Sequence, residues 1–144
     1  MQADTTHGIS VDPGEIPSML ATFFSYEAWL GPYHPQTLCL LTRIGIAYSE
    51  AGNAGRALPF LERAVRDLGD HLRPEHELRL QALAALGDLL VSTGDSDRAV
   101  TAHEELLRCQ ILSMGRDHPQ TIATRESLTA LLLQKTTGCA VREV

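Results

Sequence analysis

Six histidines and three cysteines are the side chains of this sequence best suited to bind a metal or act as nucleophiles. Three of the histidines are regularly placed. His34 and His118 open identical His-Pro-Gln-Thr strings at an offset of 84 (118 − 34), and His76 stands halfway, 42 from each. Residues that recur once per structural unit lie at least one helix diameter apart, roughly 10 Å. Two zinc ligands must approach to within about 4 Å. The periodic histidines therefore read as helix-start and loop residues. His103, on an apolar stripe, reads as a packed side chain. Cys39, Cys109 and Cys139 are odd in number and form no Cys-x-x-C, which points away from a disulfide framework and towards a reducing compartment. Neither Cys39 nor Cys109 has a patterned histidine to act as a base. Gly52-Asn53-Ala54-Gly55 reads as a turn between helices, not a phosphate loop, and Glu104-Glu105 reads as a solvated face. No catalytic residue, metal or cofactor is expected, and the chain reads as a non-enzyme.

The elements carrying these residues follow the same period. Offsets of 42 relate Gly45 to Gly87, Gly52 to Gly94, Ala57 to Ala99, Leu41 to Leu83 and Pro17 to Pro59. A fixed period of this size is the mark of a repeat architecture. Residues 1–11 are polar and aperiodic and read as a loose tail. Asp12, Pro13 and Glu15 form a helix-start pattern, and that helix should stop at Gly31-Pro32. A second helix opens at His34-Pro35, with Leu38, Leu41, Ile44, Ala47 and Tyr48 on one stripe, and closes at Gly52. Asn53 then caps a helix that fades at Gly69-Asp70. Further helices are predicted over 75–92, from Asp95 or Ser96 to near Gly115, and from His118-Pro119 to about Gln134. Pro17 and Pro59 are expected to tilt the first turns of their helices. The expected organisation is a single helical domain over 12–135, comprising a half unit at 12–33, units at 34–75 and 76–117, and a capping half unit at 118–135. Residues 136–144 read as a frayed end.

Bulk properties narrow the function. At 144 residues and 44% hydrophobic, the chain can bury a real core. A net charge of −6 argues against a general nucleic-acid binder. Lys135 is the only lysine, a bias read as codon usage in a GC-rich genome. No apolar run approaches the ~20 residues of a membrane span, and the first residues lack a basic segment followed by an apolar one. A cytoplasmic protein with no membrane partner is expected.

The small residues carry a further pattern. Gly45 follows Ile44, Tyr48 comes next, Gly52 opens the turn, and Ala57 stands twelve residues after Gly45; Gly87, Leu90, Gly94 and Ala99 repeat it. Together with His-Pro ahead of the first helix and a proline early in the second, this resembles the tetratricopeptide repeat. The resemblance is to its 42-residue form, found in kinesin light chains and many bacterial signalling proteins, and a bacterial member is expected. It covers residues 15–135. The third unit departs from it, with Arg125 and Thr129 where the first has Leu41 and Gly45, and His103 replaces Leu61 in the second. The resemblance implies an all-α, right-handed solenoid of about six helices in antiparallel pairs.

It also implies a concave groove lined by the first helix of each hairpin, acting on a peptide or helix of a partner protein. In the first unit the residues so placed are Cys39, Thr42, Arg43, Ile46 and Glu50. In the second they are Gln81, Ala84, Ala85, Asp88 and Val91, and in the third Glu126 and Ala130. The basic clamp of chaperone-binding members is missing at Thr42, Ile46, Ala84 and Asp88. The paired asparagines of kinesin light chains are replaced by Thr42-Arg43, Ala84-Ala85 and Glu126-Ser127. Three readings stay open: an interaction scaffold or adaptor, a self-associating homodimer, and a peptide- or ligand-sensing fragment of a larger signalling protein. Self-association would use apolar side chains left over on the terminal helices, chiefly Phe24, Trp29 and Leu133.

Overall fold

A computed structural model describes residues 13–142 of the chain, with side chains for 14–137. A 3₁₀ turn at Pro13–Glu15 leads into α1 (Ile16–Leu30), followed by α2 (Pro35–Glu50), α3 (Ala54–His71), α4 (Glu77–Thr93), α5 (Ser96–Met114) and α6 (Pro119–Arg142). The described residues contain no strand. The protein is all-α, built of successive helices on short links, which makes packed neighbours antiparallel. The chain divides into two compact units, residues 1–67 and 68–144, so the boundary falls inside α3.

The periodic histidines have a structural task that their spacing alone did not reveal. Each stands at a helix N-cap, where backbone donors lack intrahelical partners. His34 Nδ1 accepts from the Gln36 amide at 3.2 Å, His76 Nδ1 from Leu78 at 3.1 Å, and His118 Nδ1 from Gln120 at 3.1 Å. The helix expected over 75–92 accordingly begins at Glu77, after its cap, and runs to Thr93. Asn53 Oδ1 caps α3 through Arg56, and Asp95 Oδ1 caps α5 through Arg98, each at 3.3 Å.

The hairpin turns also repeat. Gly52 and Gly94 have φ of +81° and +85°, in the left-handed region where a side chain is strained. The amide after each donates back across the helix end, Asn53 to Tyr48 O at 2.9 Å and Asp95 to Leu90 O at 3.0 Å. Both are Schellman-type closures.

The Asp12 cap expected from the sequence lies outside the described residues. Two details differ from expectation. Pro17 does not interrupt a helix, because the preceding turn is 3₁₀ and Pro17 falls in the first turn of α1, where its missing N–H costs nothing. Pro59 does stand inside α3, with Gly55, whose carbonyl loses a donor, exposed to solvent. Finally, α6 continues past Gln134 to Arg142. Thr136 and Thr137 hydroxyls donate back to the carbonyls of Leu132 and Leu133, and no proline stops the coil.

In the first unit, Phe23 of α1, Leu38, Leu41 and Ile44 of α2, and Leu61 of α3 are almost wholly buried. Arg63 of α3 ties this unit together. Its guanidinium pairs with Glu27 of α1, bonds Asp67 at 3.4 Å, and lies 5.4 Å from the centre of the Phe23 ring. Tyr48 and Phe60 stack at 5.7 Å. In the second unit α4 and α6 both pack on α5, and Leu83, Leu90, Ala99, Leu106 and Thr121 are buried.

Candidate functional site

The second unit contains an open cleft of about 660 Å³ walled by three helices. From α4 come Glu77, Gln81, Ala84 and Asp88, spaced by three or four so that they share one face. From α5 come His103, Leu106, Gln110 and Met114, and from α6 Gln120, Ala123, Thr124 and Ser127. A smaller hollow of about 280 Å³ shares Asp88, His103 and Ser127 with it and adds Val91, Ala130, Leu131 and Gln134.

Of the predicted groove residues, Gln81, Ala84 and Asp88 line the larger cleft, and Val91 and Ala130 the smaller. Ala85 is half-buried and Glu126 exposed, and neither lines a wall of these hollows. In the first unit Cys39 and Ile46 are half-buried, while Arg43 and Glu50 are exposed. Thr42 is a correction. It is fully buried, with its hydroxyl donating to the Leu38 carbonyl at 3.0 Å, and is not presented to a partner. A short side chain that satisfies itself on the preceding turn can be enclosed without an unpaired polar group. On the terminal helices Phe24 (59% exposed), Trp29 (86%) and Leu133 (63%) all project into solvent, whereas Phe23 and Leu131 are buried.

The sequence reading assigned the groove to the first helix of each hairpin and missed the contribution of α5. A signal existed: His103 and Gln110 are polar residues on a stripe otherwise made of Ala99, Leu106 and Cys109. Both are buried, each 6% exposed. His103 Nδ1 donates to the Ala99 carbonyl at 2.9 Å. Its ring fills the helix crossing, since a Cβ built on Gly87 would lie 2.8 Å from His103 Cε1. Leu61 fills the equivalent crossing against Gly45. Replacing the imidazole by the residue of the first unit removes a buried polar group from an apolar stripe. His103→Leu is thus expected to raise stability by about 1 kcal/mol, seen as a higher denaturation midpoint; a lower one means the ring is better accommodated than Leu61 is.

Asp88 faces His103 across the cleft. The enclosed part of its carboxyl pushes its pKa above the ordinary range and the neighbouring imidazole works in the opposite direction, while the residue as a whole is exposed. Asp88 makes no ion pair with lysine or arginine among the described residues. Neither a cluster of three or more potential metal ligands nor a helix long and apolar enough to cross a membrane occurs among them.

A helical-repeat protein with an open cleft in its second unit is the class these features define. Residues 79–120, a window one period long, match the tetratricopeptide repeat profile. Over 88 residues the chain is 32% identical to kinesin light chain-related protein 1 of Arabidopsis thaliana, spanning 60% of this chain and 14% of that protein. In three dimensions it resembles a protein of Podosopora anserina described as a kinesin light chain with nearly identical TPR-like repeats. The TM-score is 0.73 at 23% identity, with 82% of this chain and 56% of that chain covered. A single-residue variant of that structure superposes equally well. Residues 79–120 are thus similar in sequence to a tetratricopeptide repeat, and the helical fold is similar to that of the TPR-like repeats of a kinesin light chain. The chain spans about a seventh of the curated relative it matches.

Proposed function

We propose that the chain is a protein–protein interaction scaffold or adaptor, non-catalytic, whose second unit receives a peptide or helix of a partner between α4, α5 and α6. The observation carrying this reading is the cleft itself. It is open to solvent and walled in part by small side chains such as Ala84, Ala123 and Ser127. Tetratricopeptide repeats as a class mediate protein interaction, which supports the reading. Ala84→Trp tests it. The half-buried Ala84 faces the cleft, so an indole there should obstruct the groove while the helices stay folded. Partners retained from a pull-down with the wild-type chain are expected to be lost with the variant. Partners that survive Ala84→Trp bind elsewhere.

The second reading is a self-associating scaffold. It is favoured by Trp29, Phe24 and Leu133, large apolar side chains left in water. A symmetric dimer through one end is the commonest closed arrangement. Light scattering on the purified chain should then give a dimer mass that Trp29→Ser or Leu133→Glu reduces to the monomer without loss of helical signal. A concentration-independent wild-type monomer excludes it. A role as a peptide-sensing fragment of a longer protein accords with the small share of the relative that is covered; flanking sequence in the gene tests it.

A further inference from the structure

We infer that the cleft of the second unit selects a partner segment carrying a lysine or arginine, its cation seated on Asp88 and a donor of the same segment bonded to Gln110. This rests on the interaction reading above and adds the chemistry of the partner. Two independent features of the cleft carry it.

The first is charge. The cleft holds two carboxylates, Glu77 and Asp88, on one face of α4, and neither lysine nor arginine is among its lining residues. Arg79 and Arg108 of this unit bond Glu105, at 2.8 and 2.5 Å, and none of the three lines the cleft. Asp88, exposed on the α4 wall beside the imidazole of His103, makes no ion pair with lysine or arginine among the described residues. A carboxylate with no such partner gains from a segment that brings the opposite charge.

The second is an orphaned acceptor. Gln110, on the α5 wall, is 6% exposed, and its Oε1 is buried with no hydrogen-bond partner. Buried acceptors left unmade cost free energy. Gln110 lines the same cleft as Asp88, so a turn of its amide towards the cleft lets an entering peptide N–H satisfy the acceptor. The stretch of α4 from Glu77 to Asp88 is roughly 16 Å long at the helical rise, room for about five residues of extended chain. Such a segment can reach both carboxylates, and its backbone can pass Gln110 between them. Acidic segments face two like charges and neither lysine nor arginine in the lining.

The test uses the full chain and a displayed library of random short peptides, with enriched sequences synthesised and titrated by fluorescence anisotropy. Enriched peptides are expected to carry Lys or Arg at a fixed position. Asp88→Asn is expected to weaken them about tenfold, and Gln110→Leu to weaken them also, with the thermal midpoint of each variant recorded alongside. Because Asp88 is solvent-accessible, its variant keeps the test informative even if Gln110→Leu unfolds. Affinity for the wild-type chain should fall with added salt more steeply than affinity for Asp88→Asn. Enriched peptides that are acidic or uncharged, or that bind Asp88→Asn as tightly as wild type, overturn the inference. If those peptides are still lost with Ala84→Trp, the interaction reading stands without it. If no peptide is enriched at all, or none responds to Ala84→Trp, both readings fall.

Discussion

A single methyl group added at position 45 is expected to destabilise the protein by ~1–3 kcal/mol. Alanine is ordinarily the better helix residue, by up to ~1 kcal/mol, so the sign is informative. A Cβ at Gly45 would stand 2.7 Å from both Cγ and Cδ2 of Leu61 and 3.3 Å from the Leu61 backbone nitrogen. The leucine can turn away, but the α3 backbone cannot, so α2 and α3 must separate. At Gly87 the corresponding Cβ meets only the ring of His103, at 2.8 Å from Cε1 and 3.0 Å from Nδ1. Gly87→Ala should therefore cost less than Gly45→Ala. It should also be coupled to its neighbour: in a His103→Ala background the same change should cost little or even stabilise, since the obstacle is gone. Urea denaturation of the four proteins of that cycle measures the coupling. A Gly45→Ala variant more stable than wild type would show that the helices cross less closely than the structure has them.

Leu41→Ala and Leu83→Ala are expected to cost ~2–5 kcal/mol each. The two leucines occupy the same position of successive units and are 0% and 2% exposed. Truncation leaves a cavity in each case. Arg125 holds that position on α6, where it is exposed and donates to the Arg116 carbonyl at 2.9 Å. Arg125→Ala should change stability by no more than ~0.5 kcal/mol. Denaturant midpoints for the three variants decide whether the positions are equivalent in sequence yet unequal in burial. A large loss at Arg125, or none at Leu41 and Leu83, contradicts the register.

That inequality marks the limit of what the sequence could disclose. Helix starts were readable because proline and the capping residues act locally, within one turn. The crossing glycines were readable because two close backbones require them wherever the repeat recurs. The α5 wall of the cleft was not, since His103 and Gln110 interrupt an apolar stripe and only packing shows that one faces Gly87 and the other a cavity. Thr42 was misplaced for the opposite reason: its type suits either side of a helix, and its burial depends on residues distant in the chain. The reach of α6 escaped notice because a run of threonines reads as a weak helix former, while here the hydroxyls bond back along the coil.

The cap, the crossing glycine and the turn glycine recur at constant phase, which bears on how such a chain can change its length. Adding one residue inside a helix turns every later side chain by about 100°, so the leucines after it would face water and the glycine would miss its crossing. Adding a complete period leaves each face where it was and brings its own beginning, notch and ending. Growth by whole duplicated segments is thus forgiven where growth by single residues is not. The identical His-Pro-Gln-Thr strings, with a looser copy between them, are what a history of copying followed by drift leaves in a sequence.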